Sequence, residues 1–320
     1  MTTLEKPPAP MDIALQAEAA MMPARPASLR RDTVRNVLRQ RTAIIGLAIL
    51  GFLVFIAVFA DVIAPFPPNV SMLDLDQAGT RGAPPCIHIL GCPEDQTQHL
   101  MGLDSNLRDT FSRVIHGSRV SLLVGIVTVT VAIIIGTLIG AVAGYFSGTS
   151  DNILMRLMDV MLSFPSLILA IAIVTVLGTG LMNAMLAIAI VSIPIYARVM
   201  RASVLSVRET DFVTASRALG ENSRGILSRR ILPNALTPLI VQGTLGIGGA
   251  ILEVAALSFV GLGAQPPTAE WGSMIAQDRN LFFSSPHLIL FPGIAITLRV
   301  LAFNLIGDGL RDALDPRLNR

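Results

Sequence analysis

Charged residues are scarce in this chain: they make up 14% of its 320 residues, against about 25% in typical soluble proteins. The mean hydropathy is correspondingly high, at +0.65. A surface with so few charges must face something other than water, so the composition excludes an ordinary soluble domain and indicates a membrane protein. The net charge is only +2, which gives no support to nucleic-acid binding.

Lysine is almost absent, since Lys6 is the single lysine of the chain. A nucleotide-binding P-loop needs the motif Gly-x4-Gly-Lys-Ser/Thr, and Lys6 lies in Lys-Pro-Pro with no glycine before it. The chain therefore has no P-loop. We predict no catalytic residue, no metal ligand and no cofactor in this chain, and expect any ATP and magnesium in separate ATPase subunits.

Hydrophobic runs that approach the roughly 20 apolar residues of a helical span occur six times. The first begins at Ala43 behind a basic stretch and is long enough to cross a membrane, so we interpret it as a span and not as a signal peptide. Six spans predict an all-α integral membrane protein with both ends on one side. The predicted spans are 43–64, 120–144, 160–177, 182–200, 236–260 and 288–306.

These spans divide the chain into regions. We predict a disordered cytoplasmic tail (1–42), the first span (43–64), an extracytoplasmic lobe (65–118) and a five-helix core (119–308), followed by a second cytoplasmic tail (309–320). The core contains a cytoplasmic loop (204–235). Arginines cluster before the first span and in this loop, which predicts that both ends are cytoplasmic. The bias is weakest in the lobe, which holds Arg81, Arg108 and Arg113, with Arg119 directly after it on the same predicted side.

The only two cysteines, Cys86 and Cys92, fall in the predicted lobe. In an oxidising compartment they would form a disulfide. Two free thiols are one alternative. A metal site with His88 and His99 is another, although the spacing matches no zinc motif.

Polar groups inside the predicted spans each allow a structural and a functional interpretation. Arg156 and Asp159 lie three residues apart on one helical face, which predicts a local ion pair more readily than a proton relay. Glu253 lies deep in the fifth span, where a carboxylate needs a partner or a wet cavity. It lies either on a translocation path or at a contact with another helix or subunit.

Glycines recur every fourth residue at the end of the second span, which is typical of close helix packing. This stripe comprises Gly136, Gly140, Gly144 and Gly148.

The loop between the fourth and fifth spans has the pattern of an amphipathic helical hairpin. Thr210 or Asp211 can cap a helix, in which Phe212, Ala215 and Leu219 make one apolar face. Gly220 suits a left-handed stop. A second short helix is then predicted to end at Pro233. Such a hairpin lies on a membrane surface or docks into a groove of a cytoplasmic partner.

This loop resembles the ATPase-coupling loop of binding-protein-dependent ABC permeases, whose pattern is Glu-Ala-Ala-x3-Gly-x9-Ile-x-Leu-Pro. Thr214 and Ser216 replace the motif's Glu and second Ala, and Arg230 stands at its Ile position. The missing Glu removes one polar contact that the resemblance implies with the ATPase. The residues in register with the motif are Ala215, Gly220, Leu232 and Pro233.

Other stretches resemble the second, C-type permease of the oligopeptide/dipeptide/nickel branch of that family. Leu107 stands where this branch has a glycine, so the turn there is expected to differ. The segment from Pro67 to Gln98 fits less well and is interpreted as a private insertion. The matching stretches are 99–109, 112–122, 257–272 and 304–317.

The resemblance implies a type I ABC importer permease in a prokaryotic inner membrane. It implies a heterodimer with a sister permease, two cytoplasmic ATPase subunits and an extracytoplasmic solute-binding protein. The expected solutes are di- and oligopeptides, with nickel or another small solute as the alternative. An ion-coupled secondary transporter should show paired repeats and midplane carboxylates, and an intramembrane enzyme should show paired catalytic groups, whereas His287 has no evident partner.

Overall fold

The computed structural model describes residues 37–75 and 79–314. Most of the predicted N-terminal tail and the end of the C-terminal tail lie outside the described residues. The described part is helical, with short 3-10 turns and isolated bridges in the lobe. The helices are α1 (Arg41–Val58), α2 (Ala60–Ile63), α3 (Thr110–Phe146), α4 (Gly148–Leu162), α5 (Ser166–Leu177), α6 (Leu181–Arg208), α7 (Asp211–Ala218), α8 (Ser223–Gly225), α9 (Leu232–Ala235), α10 (Thr237–Phe259), α11 (Trp271–Asp278) and α12 (His287–Leu314).

Five or six membrane spans are present among the described residues. Helices α1, α3, α6, α10 and α12 are each long and apolar enough to cross, and α4 with α5, a pair bent by 94°, makes a sixth when the two helices count as one broken span. The prediction of one continuous span at 160–177 was therefore wrong, because the helix is interrupted before Ser166. Pro165 occupies the N-cap of α5, and proline disfavours helical conformation in the residue before it.

The helix that contains the second span begins at Thr110, ten residues before the predicted start of the span at 120. Asp109 caps the helix by accepting from the Ser112 N–H at 2.8 Å. Arg113, in the next turn, is buried and donates to the carbonyl of Pro68 at 2.9 Å. Hydropathy misses these first turns because their polar side chains are buried by the lobe instead of by lipid.

The glycine stripe packs α3 against α6. A Cβ on Gly140 would lie 2.3 Å from the carbonyl oxygen of Ala197, and one on Gly136 would lie 2.7 Å from the Tyr196 Cβ. This confirms the packing role of Gly136, Gly140 and Gly144. Gly148 does not belong to the stripe, since it begins α4 at φ +63° and its Cβ would meet nothing within 4 Å.

A polar cap closes the extracytoplasmic end around Trp271. The indole N–H donates to the Val114 carbonyl at 3.0 Å, and the Arg299 guanidinium lies 4.8 Å from the ring centroid. Arg299 also donates to the Ser118 carbonyl at 2.7 Å. Glu270 caps α11, and burial raises the pKa of its carboxyl against the opposing hydrogen bonds from backbone N–H groups. The cap thus ties α3, α11 and α12 together.

The turn before α3 is left-handed at Leu107, with φ at 59°. Leucine therefore adopts a left-handed conformation that favours glycine. Its side chain is buried in the lobe, while Asp104 accepts from the Asn106 and Arg108 N–H groups at 2.8 and 2.9 Å. Burial and these hydrogen bonds hold a conformation that costs leucine about 1–2 kcal/mol.

Candidate functional site in the cytoplasmic hairpin

The predicted cytoplasmic hairpin is anchored to the spans at both ends. Arg208, at the end of α6, donates to the Ser147 hydroxyl at 2.6 Å and to the carbonyls of Gly144 and Tyr145. At the other end, the Ser203 hydroxyl donates to the Ala235 carbonyl at 2.8 Å. Both ends of the hairpin are therefore held by hydrogen bonds at the ends of α3 and α6.

Helix α7 forms the outer arm of the hairpin. Thr210 occupies its N-cap, but the hydroxyl donates to the Val207 carbonyl at 2.6 Å, so neither Thr210 nor Asp211 provides a side-chain cap. Gly220 has φ +81°, and its N–H donates to the Arg217 carbonyl at 3.1 Å. The predicted left-handed stop is confirmed.

The two sides of α7 differ sharply in burial. Val213 is fully buried against the spans, whereas Phe212 is 45% exposed and Leu219 is 87% exposed. Ala215 and Thr214 are exposed beside them, and Ser216 is half-buried. The apolar face predicted from the sequence thus points away from this chain's own core.

The second arm continues through the predicted stop. Asn222 caps α8 by accepting from the Gly225 N–H at 2.6 Å, and a π-helical segment (Ile226–Ile231) leads into α9. Pro233 lies at the start of α9 and does not end the arm, because a first-turn position needs no N–H partner. Leu232 is half-buried and Pro233 exposed.

An ion pair links the second arm to the turn that precedes it: Arg230 Nε lies 3.1 Å from Glu221 Oε2. The sequence reasoning noted Arg230 only as a departure from the motif and missed this bond. Both residues follow Gly220 and lie nine positions apart.

Glu253 is half-buried in α10, and its Oε1 accepts from the Ser166 hydroxyl at 3.0 Å. Ser166 is the first residue of α5, beside the break in the third span. No basic side chain pairs with Glu253 among the described residues. Sequence reasoning did not find Ser166, because the partners are 87 residues apart.

The predicted ion pair between Arg156 and Asp159 was wrong. Asp159 instead pairs with Arg198 of α6 at 2.5 Å, and Asp151 of α4 pairs with Arg201 at 2.5 Å. Both pairs cross between helices, where the packing brings α4 beside α6. Arg198 and Arg201 lie three residues apart on one face of α6, and this spacing was the signal that the sequence contained.

The lobe holds Cys86 and Cys92 as a disulfide with their Cα atoms 5.3 Å apart. The metal-site alternative is not supported in the described part of the chain, where no three potential metal ligands are grouped. His88 bonds to the Gln96 carbonyl and to the Gln98 side chain, and His99 bonds to Asp109. The four predicted ligands are thus engaged elsewhere.

The apolar helices define a multi-span membrane protein, and the anchored hairpin with its exposed apolar face lies between α6 and α10. The chain belongs to the family described as binding-protein-dependent transport system inner membrane component, which matches residues 136–320. Residues 28–85 match the N-terminal transmembrane domain of oligopeptide transport permease C. The chain is therefore a multi-pass inner-membrane protein of a prokaryotic transport system. The interpretation of 67–98 as a private insertion was wrong for residues 67–85.

Among its relatives is a dipeptide transport system permease protein DppC from Alkalihalophilus pseudofirmus, 44% identical over 90% of both chains. A di/tripeptide transport system permease protein DppC from Pseudomonas aeruginosa is 46% identical over 85% of this chain and 87% of the relative. A glutathione transport system permease protein GsiD from Pectobacterium atrosepticum is 41% identical over 90% of this chain and 91% of the relative.

The fold resembles that of a chain in the inward-facing MetNI methionine ABC transporter. The TM-score is 0.53 at 19% identity, over 63% of this chain and 97% of the other. This likeness supports the permease fold alone.

Proposed function

We propose that this chain is one of two permease subunits of an ATP-driven importer of di- and oligopeptides. Two cytoplasmic ATPase subunits bind ATP and magnesium, and an extracytoplasmic solute-binding protein delivers the peptide. This chain itself hydrolyses nothing.

The exposed face of α7 carries the proposal for ATPase docking. Phe212 and Leu219 present apolar surface to the cytoplasm, while Val213 fixes the same helix to the spans. An exposed apolar patch on an ordered helix is typical of a docking surface. We assign the ATPase contact to Asp211, Phe212, Thr214, Ala215, Ser216, Leu219, Gly220, Leu232 and Pro233.

The anchors of the hairpin suggest how ATP drives transport. Closure of the ATPase pair displaces α7, and Arg208 and Ser203 carry the displacement into α3 and α6 through their hydrogen bonds. The pore then changes between outward-facing and inward-facing states, because ATP binding favours one of two conformations.

The peptide substrate is supported by the relatives, which are named for dipeptide, di/tripeptide and glutathione transport. Glutathione is itself a tripeptide, so the three names share one chemical class. Nickel or another small solute is the alternative cargo for the same architecture.

Uptake by proteoliposomes tests the proposal. With the sister permease, the ATPases and the peptide-loaded binding protein all present, we expect ATP-dependent dipeptide uptake. Omission of any one subunit should abolish it, and this chain alone should neither hydrolyse ATP nor move solute. Uptake by the chain alone, driven by an ion gradient and indifferent to ATP, would instead establish a secondary transporter.

A further inference from the structure

One face of α10 carries small and polar residues along most of its length. Gln242, Gly246, Gly249 and Glu253 are spaced by four, three and four residues, so they align on one side of the helix. All four are half-buried or exposed. We call this row the α10 stripe.

Polar groups with unused hydrogen-bonding capacity border the α10 stripe. A Cβ on Gly246 would lie 2.0 Å from the Tyr196 hydroxyl oxygen, so this hydroxyl rests on the stripe. Among the described residues, neither the Tyr196 hydroxyl nor the Gln242 amide makes a hydrogen bond. A Cβ on Gly249 would meet no atom within 4 Å, so space is open between these groups and Glu253.

Contact of the α10 stripe with lipid would be energetically unfavourable. Unsatisfied amide, hydroxyl and carboxylate groups are costly in hydrocarbon. Exposed residues on other sides of α10 include the aliphatic Ile240 and Leu252, which are 55% and 54% exposed. The helix therefore separates a side suited to lipid from a side suited to water.

Charge decides what the α10 stripe can bind. Glu253 accepts one hydrogen bond from Ser166 and has no cationic partner among the described residues. Its second oxygen is available to a donor, and a cationic donor such as an ammonium group forms a stronger hydrogen bond with a carboxylate than a neutral donor does. A di- or oligopeptide carries such a group at its N-terminus.

We propose that the α10 stripe lines the translocation path and that Glu253, positioned by Ser166, binds the N-terminal ammonium of the passing peptide. This inference rests on the proposed function for the identity of the solute. The Gln242 amide and the Tyr196 hydroxyl provide further hydrogen bonds along the path.

Cysteine accessibility tests which surface the α10 stripe faces. The chain's two cysteines are joined in a disulfide, so Glu253→Cys in a complex with cysteine-free partners adds a single free thiol. A water-soluble cationic methanethiosulfonate should label Glu253→Cys and leave Leu252→Cys unlabelled. Protection of Glu253→Cys in every conformational state, with the complex intact, would assign the residue to a contact between subunits and overturn the proposal.

Uptake by the complete complex tests the ammonium contact. Loss of one charge-assisted hydrogen bond in Glu253→Gln should lower dipeptide uptake about tenfold or more, while ATPase stimulation by the loaded binding protein persists. Ser166→Ala should lower uptake about two- to fivefold. Glu94→Gln, on the exposed lobe, is the matched control and should transport normally.

The outcomes separate the two proposals. Unchanged uptake by Glu253→Gln, or an equal loss of uptake and ATPase stimulation, would overturn the role of Glu253 in peptide contact. Failure of the wild-type complex to import any peptide would overturn the proposed function instead. The labelling experiment needs no substrate and would still report whether the stripe faces water.

Discussion

Two surfaces of this chain differ in the size of their residues. The seam between α3 and α6 is made of glycines, whereas the exposed face of α7 carries large apolar side chains. At the seam, Gly140 lies so close to Ala197 that no Cβ fits, and the surrounding residues are buried. On α7, the large apolar Phe212 and Leu219 remain exposed. At this seam the helices come close because side chains are absent, whereas α7 keeps large apolar side chains that this chain does not cover.

A large effect on the yield of folded protein is expected at the seam. Gly140→Ala places a methyl group 2.3 Å from the Ala197 carbonyl oxygen, so the helices must separate at a cost of about 1–3 kcal/mol or more. We expect a steep loss of folded protein by size-exclusion chromatography in detergent. Gly51→Ala is the control, since its Cβ would meet no atom within 4 Å. Equal yields from the two variants would show that the seam is not tightly packed.

Two neighbouring substitutions on α7 sharpen the comparison. Phe212→Asp places a charge in the docking contact, and a loss of about 2–4 kcal/mol is typical of a hot-spot residue. We expect this variant to insert and pair with its sister permease but to lose the ATPases in a pull-down. Val213→Asp buries a charge inside the chain, so it should reduce folded protein itself. ATPase recovery at wild-type yield with Phe212→Asp would exclude α7 as the docking element.

The disulfide between Cys86 and Cys92 should stabilise only the lobe that contains it. Without prior reduction, mass spectrometry of protein from native membranes should find Cys86 and Cys92 protected from alkylation. Replacing both with serine removes a constraint worth about 2 kcal/mol for so short a loop. Faster proteolysis of the lobe, with the spans intact, is the expected readout. Alkylation of both thiols in unreduced protein would contradict the disulfide.

The smallest effect is expected in the polar cap. Trp271→Phe removes the hydrogen bond to the Val114 carbonyl while keeping an aromatic ring, so it should lower thermal stability by about 1 kcal/mol. Met274→Leu, a buried residue of the same cluster without a side-chain hydrogen bond, is the control. An unchanged melting temperature for Trp271→Phe would show that this bond adds nothing to the cap.

Local sequence determined the class of this protein. The hydropathy that identifies a span is averaged over about 20 consecutive residues, so the sequence alone predicted six crossings. The bounds of α10 were predicted within one residue at each end. The stop at Gly220 and the apolar face of α7 also follow from short-range rules, because a left-handed turn and a 3.6-residue period involve only near neighbours.

The tertiary structure decided the contacts between residues that are far apart in the sequence. Asp159 pairs with Arg198 and not with Arg156, which is nearer in the sequence, because α4 packs beside α6. Helix α3 begins at Thr110 because the lobe buries its polar first turns. The hydrogen bond from Ser166 to Glu253 forms at the start of α5, where the third span breaks at Pro165. Hydropathy and periodicity describe a helix in isolation, whereas ion pairs, burial of polar turns and the lining of a path depend on which helices become neighbours.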